Sequence, residues 1–213
     1  MLGNRSLAVY IITDSTLSHG RSHVEVAREA IRGGADVIQF REKNMNGRDL
    51  IATARELQDL CRQAGVLFLV NDRVDVALAV DADGVHVGQE DMPADIARRL
   101  IGPDKVLGVS TRTPELALKA QQDGADYVGT GAIYATTTKN VASGPRGPEL
   151  IDRIKQVVSI PVVAIGGITV ENAPECILHG ADGCAVISAV VGAPDIADAT
   201  RRLHAAIEGA RGR

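Results

Sequence analysis

The sequence predicts an α/β fold, a single (β/α)8 barrel of the TIM type spanning residues 1–213, on three observations. Apolar, β-rich runs alternate with helix-like stretches, a short Ala-Asp phrase recurs just ahead of the runs, and 213 residues is about the length such a barrel needs. The eight runs are Ala8 to Asp14, Val37 to Arg41, Leu67 to Asp72, Gly84 to Gly88, Val106 to Ser110, Tyr127 to Gly131, Val162 to Gly167 and Gly183 to Ser188. Between them apolar residues fall at three- and four-residue intervals, as in Val24, Val26, Ala27, Ala30, Ile31 and in Leu50, Ile51, Ala54, Leu57, Leu60, Cys61. Pro114, Pro148 and Pro194, each followed by an acid, are expected in first helical turns. Gly34-Ala35-Asp36, Ala82-Asp83-Gly84, Gly124-Ala125-Asp126 and Gly180-Ala181-Asp182 read as one helix-to-strand turn used four times. Strict alternation with short connections requires a parallel sheet, and eight units close it. An open dinucleotide-binding sheet would carry a Gly-x-Gly-x-x-Gly run after the first strand, where Asp14-Ser15-Thr16-Leu17-Ser18 stands instead.

Composition narrows the function. Hydrophobic residues are 45% and charged residues 23%, the proportions of an ordinary folded domain, and the formal charge of −4 with no run of five like charges argues against a generic nucleic-acid or membrane surface. Aromatics are only 2%, too few to stack successive bases. Cys61, Cys176 and Cys184 are an odd, dispersed set, so neither a disulfide framework nor a zinc site is expected. The apolar run Leu7 to Ile12 is too short for a signal peptide or membrane span, and the expected location is cytoplasmic.

Active sites of such barrels lie where strands end. In strand two the period of two turns Gln39 and Arg41 inward, and Lys43 follows on the same side, which suits a phosphate or diphosphate. The competing reading is a salt-bridged strand end with Glu42 as partner. Asn71 and Asp72 end strand three and Asp91 follows strand four; two carboxylates without His or Cys describe a hard-cation site of the Mg²⁺ kind, unless Asp72 merely caps the next helix and Asp91 sits in a turn before Pro93. The loop from Ala132 to Gly147, with Thr136, Thr138 and Lys139, has the composition of an anion-binding lid or of a solvated threonine-rich loop. Gly166 and Gly167 after strand seven, with Ile187 and Ser188 after strand eight, occupy the recurrent phosphate site of these barrels. Ser110 ends strand five and is polar; His86, within strand four, reads as a satisfied barrel histidine.

Together these strings resemble the thiamine-phosphate synthase (thiamine-phosphate pyrophosphorylase) family nearly end to end. The resemblance is carried by Tyr10-Ile11-Ile12-Thr13-Asp14, Gln39-x-Arg41-x-Lys43, Asn71-Asp72-Arg73, Gly84 to Asp91, Gly108-Val109-Ser110, Thr136-x-Thr138-Lys139, Gly166-Gly167-Ile168 and Ile187-Ser188, in that order on consecutive strands. It implies a transferase that condenses 4-amino-2-methyl-5-hydroxymethylpyrimidine diphosphate with 4-methyl-5-(2-phosphooxyethyl)thiazole, giving thiamine phosphate and diphosphate. It further implies that Gln39, Arg41, Lys43, Asn71, Ser110 and Lys139 hold the pyrimidine diphosphate, with Arg41, Lys43, Ser110 and Lys139 catalytic, that Asp72 and Asp91 bind Mg²⁺, and that Thr136, Thr138, Gly167, Ile187 and Ser188 hold the thiazole phosphate. Ala135 departs from the family's usual proline before the first lid threonine. The partners implied are two small phosphorylated substrates, with no nucleic acid and no membrane; a homodimer is left open. Absence of a partnered nucleophile fits Mg²⁺-assisted dissociative substitution, in which neutralised diphosphate departs and the thiazole nitrogen captures the methylene cation. The alternatives are a thiazole tautomerase, which needs neither the diphosphate clamp nor paired carboxylates, and a non-catalytic phosphate-ligand sensor.

Overall fold

The computed structural model describes residues 2, 3, 5–136 and 144–212. Strands β1 (Val9–Ile12), β2 (Val37–Phe40), β3 (Leu67–Asn71), β4 (Gly84–Val87), β5 (Val106–Thr111), β6 (Tyr127–Thr130), β7 (Val162–Ile165) and β8 (Gly183–Val186) close in sequence order into one parallel barrel, β1 pairing with both β2 and β8. Around it run α1 (His23–Arg32), α2 (Gly47–Ala64), α3 (Val74–Ala79), α4 (Ala94–Ile101), α5 (Pro114–Gln122), α6 (Glu149–Lys155), α7 (Ala173–Leu178), α8 (Ser188–Val191) and α9 (Ile196–Arg211). Seven of the predicted runs contain their strands and overshoot at the C-terminal end, because β-rich composition continues past the last ladder hydrogen bond; the fifth stops one residue short, since β5 continues through Thr111, which pairs with Thr130. The overshoot matters at Ser188: the chain leaves the sheet at Ile187, with φ −118° and ψ −83°, and Ser188 opens the short helix α8 instead of ending a strand.

The four Ala-Asp turns share one job. Asp36 accepts a hydrogen bond from the Val9 backbone N–H at 2.8 Å, Asp83 from Phe68 at 2.9 Å, Asp126 from Leu107 at 2.8 Å and Asp182 from Val162 at 2.7 Å. Each carboxylate standing before an even-numbered strand therefore satisfies a donor at the start of the preceding odd-numbered one. The turn needs a left-handed residue, which is Gly34, Gly124 and Gly180 in three cases and Asp81, at φ 54°, in the fourth.

Helix starts follow local chemistry. Ser22 and Glu25 form a reciprocal capping box on α1, and Thr113 accepts from Leu116 N with Pro114 in the first turn of α5. The other two prolines stand earlier than expected: Pro148 is the N-cap of α6, and Pro194 precedes Asp195, whose side chain accepts from Asp198 N at 2.9 Å and caps α9. A carboxylate can satisfy a free N–H and proline cannot, so Asp195 sets the boundary.

Two apolar layers hold the barrel. Leu7, Tyr10, Ile12, Val37, Leu67, Leu69, Val106, Tyr127, Val163 and Ala185 fill its interior, while the outward strand residues pack against the helices. On α2 the predicted stripe narrows to Leu50, Ala54, Leu57 and Cys61, with Ile51 and Leu60 on its flanks. Truncating fully buried Leu57 to alanine would cost about 2–5 kcal/mol. All three cysteines are free and buried. No helix among the described residues is long and apolar enough to cross a membrane.

Candidate active site

Alternation along the strands delivers the site. Inward positions filled low in the barrel by Val37, Leu69 and Val106 are followed toward the C-terminal ends by Gln39 and Arg41, by Asn71, and by Ser110. These four, with Thr136, Gly167, Ile187 and Ser188, line one cavity of about 1110 Å³ including its open mouth. Thr138 and Lys139 lie outside the described residues. Lys43, Asp72 and Asp91 do not line this cavity; they form a polar cluster beside it.

Neither cation of strand two pairs with Glu42. Arg41 Nη1 lies 2.5 Å from Asp14 Oδ2, and Lys43 Nζ pairs with Asp72. Glu42 turns the other way, its side chain only 5% exposed, and accepts from the backbone N–H groups of Lys43 and Asn44 at 2.6 and 2.7 Å. His23 Nε2 lies 3.1 Å from Glu42 Oε2, with Nδ1 2.7 Å from Thr13 Oγ1. Burial opposes ionisation of Glu42, but bonds from Ser15, the Asn44 backbone, His23 and the Lys43 backbone outweigh it and bring its pKa down to about 2. The carboxylate thus folds the turn that presents Arg41 and Lys43.

Asp72 does not cap the next helix, since the α3 N-cap is Arg73 with no side-chain cap bond. It takes a left-handed conformation at φ 61°, which turns the chain immediately after β3. Asp91 stands in a turn, Asp91 N donating to Gly88 O at 3.3 Å and Gly88 N to Asp91 Oδ2 at 2.8 Å. Burial and contact with the Asp72 carboxylate raise the Asp91 pKa, against the Gly88 N–H and the Lys43 charge. Two like charges held together with oxygen donors only, and no third His, Cys, Asp or Glu joining them among the described residues, suit a hard divalent cation that takes its other ligands from water and substrate.

The glycines after β7 are demanded by more than ligand approach. Gly166 and Gly167 have φ 97° and 66°, and a Cβ on them would lie 2.6 Å from Ala132 Cα and 2.4 Å from Ala135 O. They let the start of the long loop settle onto the barrel mouth, so its base and the glycine turn form one wall.

Sequence reasoning missed several residues. Asp14 has no role of its own in the sequence reading, although an acid two residues beyond β1 meets Arg41 just beyond the neighbouring strand β2. Arg112 also lines the cavity, two positions beyond Ser110, where the period of two would have found it. Tyr10 and Tyr127 sit on the cavity floor with His86, whose two ring nitrogens lie 2.8 Å from Tyr127 Oη and 2.9 Å from Ser110 Oγ. His86 is the satisfied barrel histidine expected, and its partner Ser110 lines the cavity.

Residues 9–190 match the family model described as thiamine monophosphate synthase. The chain is 57% identical over 199 residues to a thiamine-phosphate synthase of Chloroflexus aurantiacus, covering 93% of this chain and 92% of that one. It is 50% identical over 205 residues to one of Moorella thermoacetica, covering 96% and 98%. Among solved structures, the thiamine phosphate pyrophosphorylase of Pyrococcus furiosus superposes with a TM-score of 0.89 at 45% identity, covering 97% of this chain and 98% of that one. With a closed barrel, its polar strand ends gathered on one face and a match nearly the length of the chain, the protein belongs to the thiamine monophosphate synthase family.

Proposed function

We propose that the cavity and its rim divide the two substrates of the family reaction, the pyrimidine diphosphate on the β2 to β5 side and the thiazole phosphate on the β7 and β8 side. The chain is a transferase: it joins pyrimidine diphosphate and thiazole phosphate into thiamine phosphate and releases diphosphate. The observation that carries the division is that Gln39, Arg41, Asn71 and Ser110 share a single cavity with Gly167, Ile187 and Ser188.

On the first side Arg41 and Lys43 supply charge to the diphosphate, and Gln39, Asn71 and Ser110 supply neutral hydrogen bonds; Lys139 joins them in this reading. Asp72 and Asp91 would hold Mg²⁺, which when bound neutralises leaving-group charge. On the second side the backbone after β7 and at the start of α8 meets the thiazole phosphate, as in other barrels where a short extra helix follows β8. Thr136, which lines the cavity, contacts it from the loop, and Thr138 joins it in this reading. Catalysis is then placement of the thiazole nitrogen against the pyrimidine methylene, with cations stabilising the departing diphosphate and no general base required. The diphosphate side of the site favours this reading over a thiazole tautomerase, which would have no use for it.

Separate titration of Arg41→Ala and Gly167→Val with each substrate tests the division. The expected result is about tenfold or greater loss of pyrimidine diphosphate affinity in the first and of thiazole phosphate affinity in the second. The opposite pattern would reverse the two half-sites.

A further inference from the structure

Five side chains facing the barrel interior form one continuous chain of hydrogen bonds along the cavity floor. Gln39 Nε2 donates to Tyr10 Oη at 2.6 Å, Tyr10 Oη meets Tyr127 Oη at 2.7 Å, Tyr127 Oη meets His86 Nδ1 at 2.8 Å, and His86 Nε2 meets Ser110 Oγ at 2.9 Å. Tyr10 and Tyr127 are 1% and 0% exposed. The fold makes room for the chain: a Cβ on Gly108 would lie 2.3 Å from Tyr127 Oη, and one on Gly129 would lie 3.0 Å from His86 Cε1.

Counting hydrogens gives the chain a direction. Burial raises both phenols above their ordinary range, so each keeps its one hydrogen. Tyr10 Oη already accepts from the Gln39 nitrogen, so its own hydrogen goes to Tyr127 Oη. Tyr127 must then donate to His86 Nδ1. A neutral imidazole that accepts at Nδ1 carries its hydrogen on Nε2, and that hydrogen is donated to Ser110 Oγ. Ser110 is left with its hydroxyl hydrogen free for the cavity. Turning the Gln39 carboxamide over would reverse every link, put the histidine proton on Nδ1, and commit the Ser110 hydrogen to His86. A phosphate oxygen in this cavity only accepts, so the first direction serves it and the second does not.

We infer that Tyr10, Tyr127 and His86 are positioning residues, a relay from Gln39 that fixes His86 as the Nε2–H tautomer and presents Ser110 to the pyrimidine diphosphate as a hydrogen-bond donor. The inference rests on the reading of Ser110 as a diphosphate contact, and its two tests separate the relay from that reading. The first uses the substrate-free protein with ¹⁵N-labelled histidine: imidazole ¹⁵N–¹H correlation, with His86 assigned by loss of its signals in His86→Asn, should show a protonated Nε2 and a bare Nδ1. A proton on Nδ1, or on both nitrogens, overturns the relay and leaves the assignment of Ser110 untouched.

The second is a double-mutant cycle on the KM for pyrimidine diphosphate. Ser110→Ala alone should raise it about tenfold; an unchanged value overturns the reading of Ser110 as a contact, and the relay's purpose with it. Tyr127→Phe, which keeps the ring but breaks the chain, should raise it several-fold in the wild-type background and leave it unchanged in Ser110→Ala, with the KM for thiazole phosphate within twofold throughout. Losses that multiply across the two variants would mean that Tyr127 acts independently of Ser110, and the relay falls. Should Tyr127→Phe fail to fold, the tautomer measurement on the unaltered protein still decides.

Discussion

Arg41 and Asp14 face each other across neighbouring strand ends, guanidinium to carboxylate at 2.5 Å, their side chains 22% and 10% exposed. Asp14 Oδ1 also accepts from the backbone N–H groups of Thr16 and Leu17 at 3.0 and 3.1 Å, so one carboxylate ties the loop after β1 to the cation that closes β2. Asp14→Asn keeps an oxygen for the loop and removes the charge that aims Arg41. The expected outcome is a rise of about tenfold in the KM for pyrimidine diphosphate with that for thiazole phosphate unchanged, checked by steady-state kinetics with each substrate varied in turn.

Asp91 is the carboxylate whose proton affinity is raised by burial and by Asp72 beside it. With its charge removed by Asp91→Asn, the concentration of Mg²⁺ giving half-maximal activity should rise at least tenfold, roughly 1.4 kcal/mol of lost binding, while calorimetric affinity for thiazole phosphate stays as it was. An unaltered Mg²⁺ titration would take Asp91 out of the metal site.

Glu42 gives a pH dependence with a definite sign. Its folded pKa of about 2 lies below the ordinary 4.5, so its contribution is present in full above pH 4.5 and is lost as pH falls from there toward 2. The depression corresponds to roughly 3 kcal/mol at neutral pH. Urea unfolding should therefore find Glu42→Gln less stable than the parent by about that amount at pH 7 and nearly equal to it at pH 2. A gap of the same size at both pH values would mean that the carboxylate charge is not what stabilises the turn.

If carbon–oxygen cleavage precedes attack by the thiazole, positive charge builds on the pyrimidine methylene and electron supply controls the rate. Replacing the pyrimidine methyl by trifluoromethyl should then slow single turnover at saturating thiazole phosphate by about 100-fold or more, some 2.7 kcal/mol in the barrier, with binding nearly intact. Equal rates, with chemistry limiting, would favour direct displacement by the thiazole nitrogen.

Periodic features were written in the sequence because they repeat. The eight β-rich runs, the α2 stripe and the Ala-Asp turns each report a local constraint, the alternation of side chains on a strand, the 3.6-residue turn of a helix, or a left-handed residue before a strand, and each can be read without knowing what lies opposite. The same alternation sufficed to send Gln39, Arg41, Asn71 and Ser110 toward one cavity. What the sequence by itself could not decide was partnership. Glu42, adjacent to both cations, pairs with neither and binds His23, because strand geometry turns it to the opposite face; Arg41 takes Asp14 and Lys43 takes Asp72, 27 and 29 positions away in the chain. Barrel closure brings Tyr10 to Tyr127 across 117 residues, and only that contact joins Gln39 to Ser110 in one chain, whose direction the Gln39 carboxamide then sets. Strand and helix are set by neighbours along the backbone, whereas the charge partners and proton positions of a site are set by neighbours in space, which exist only after the barrel has closed.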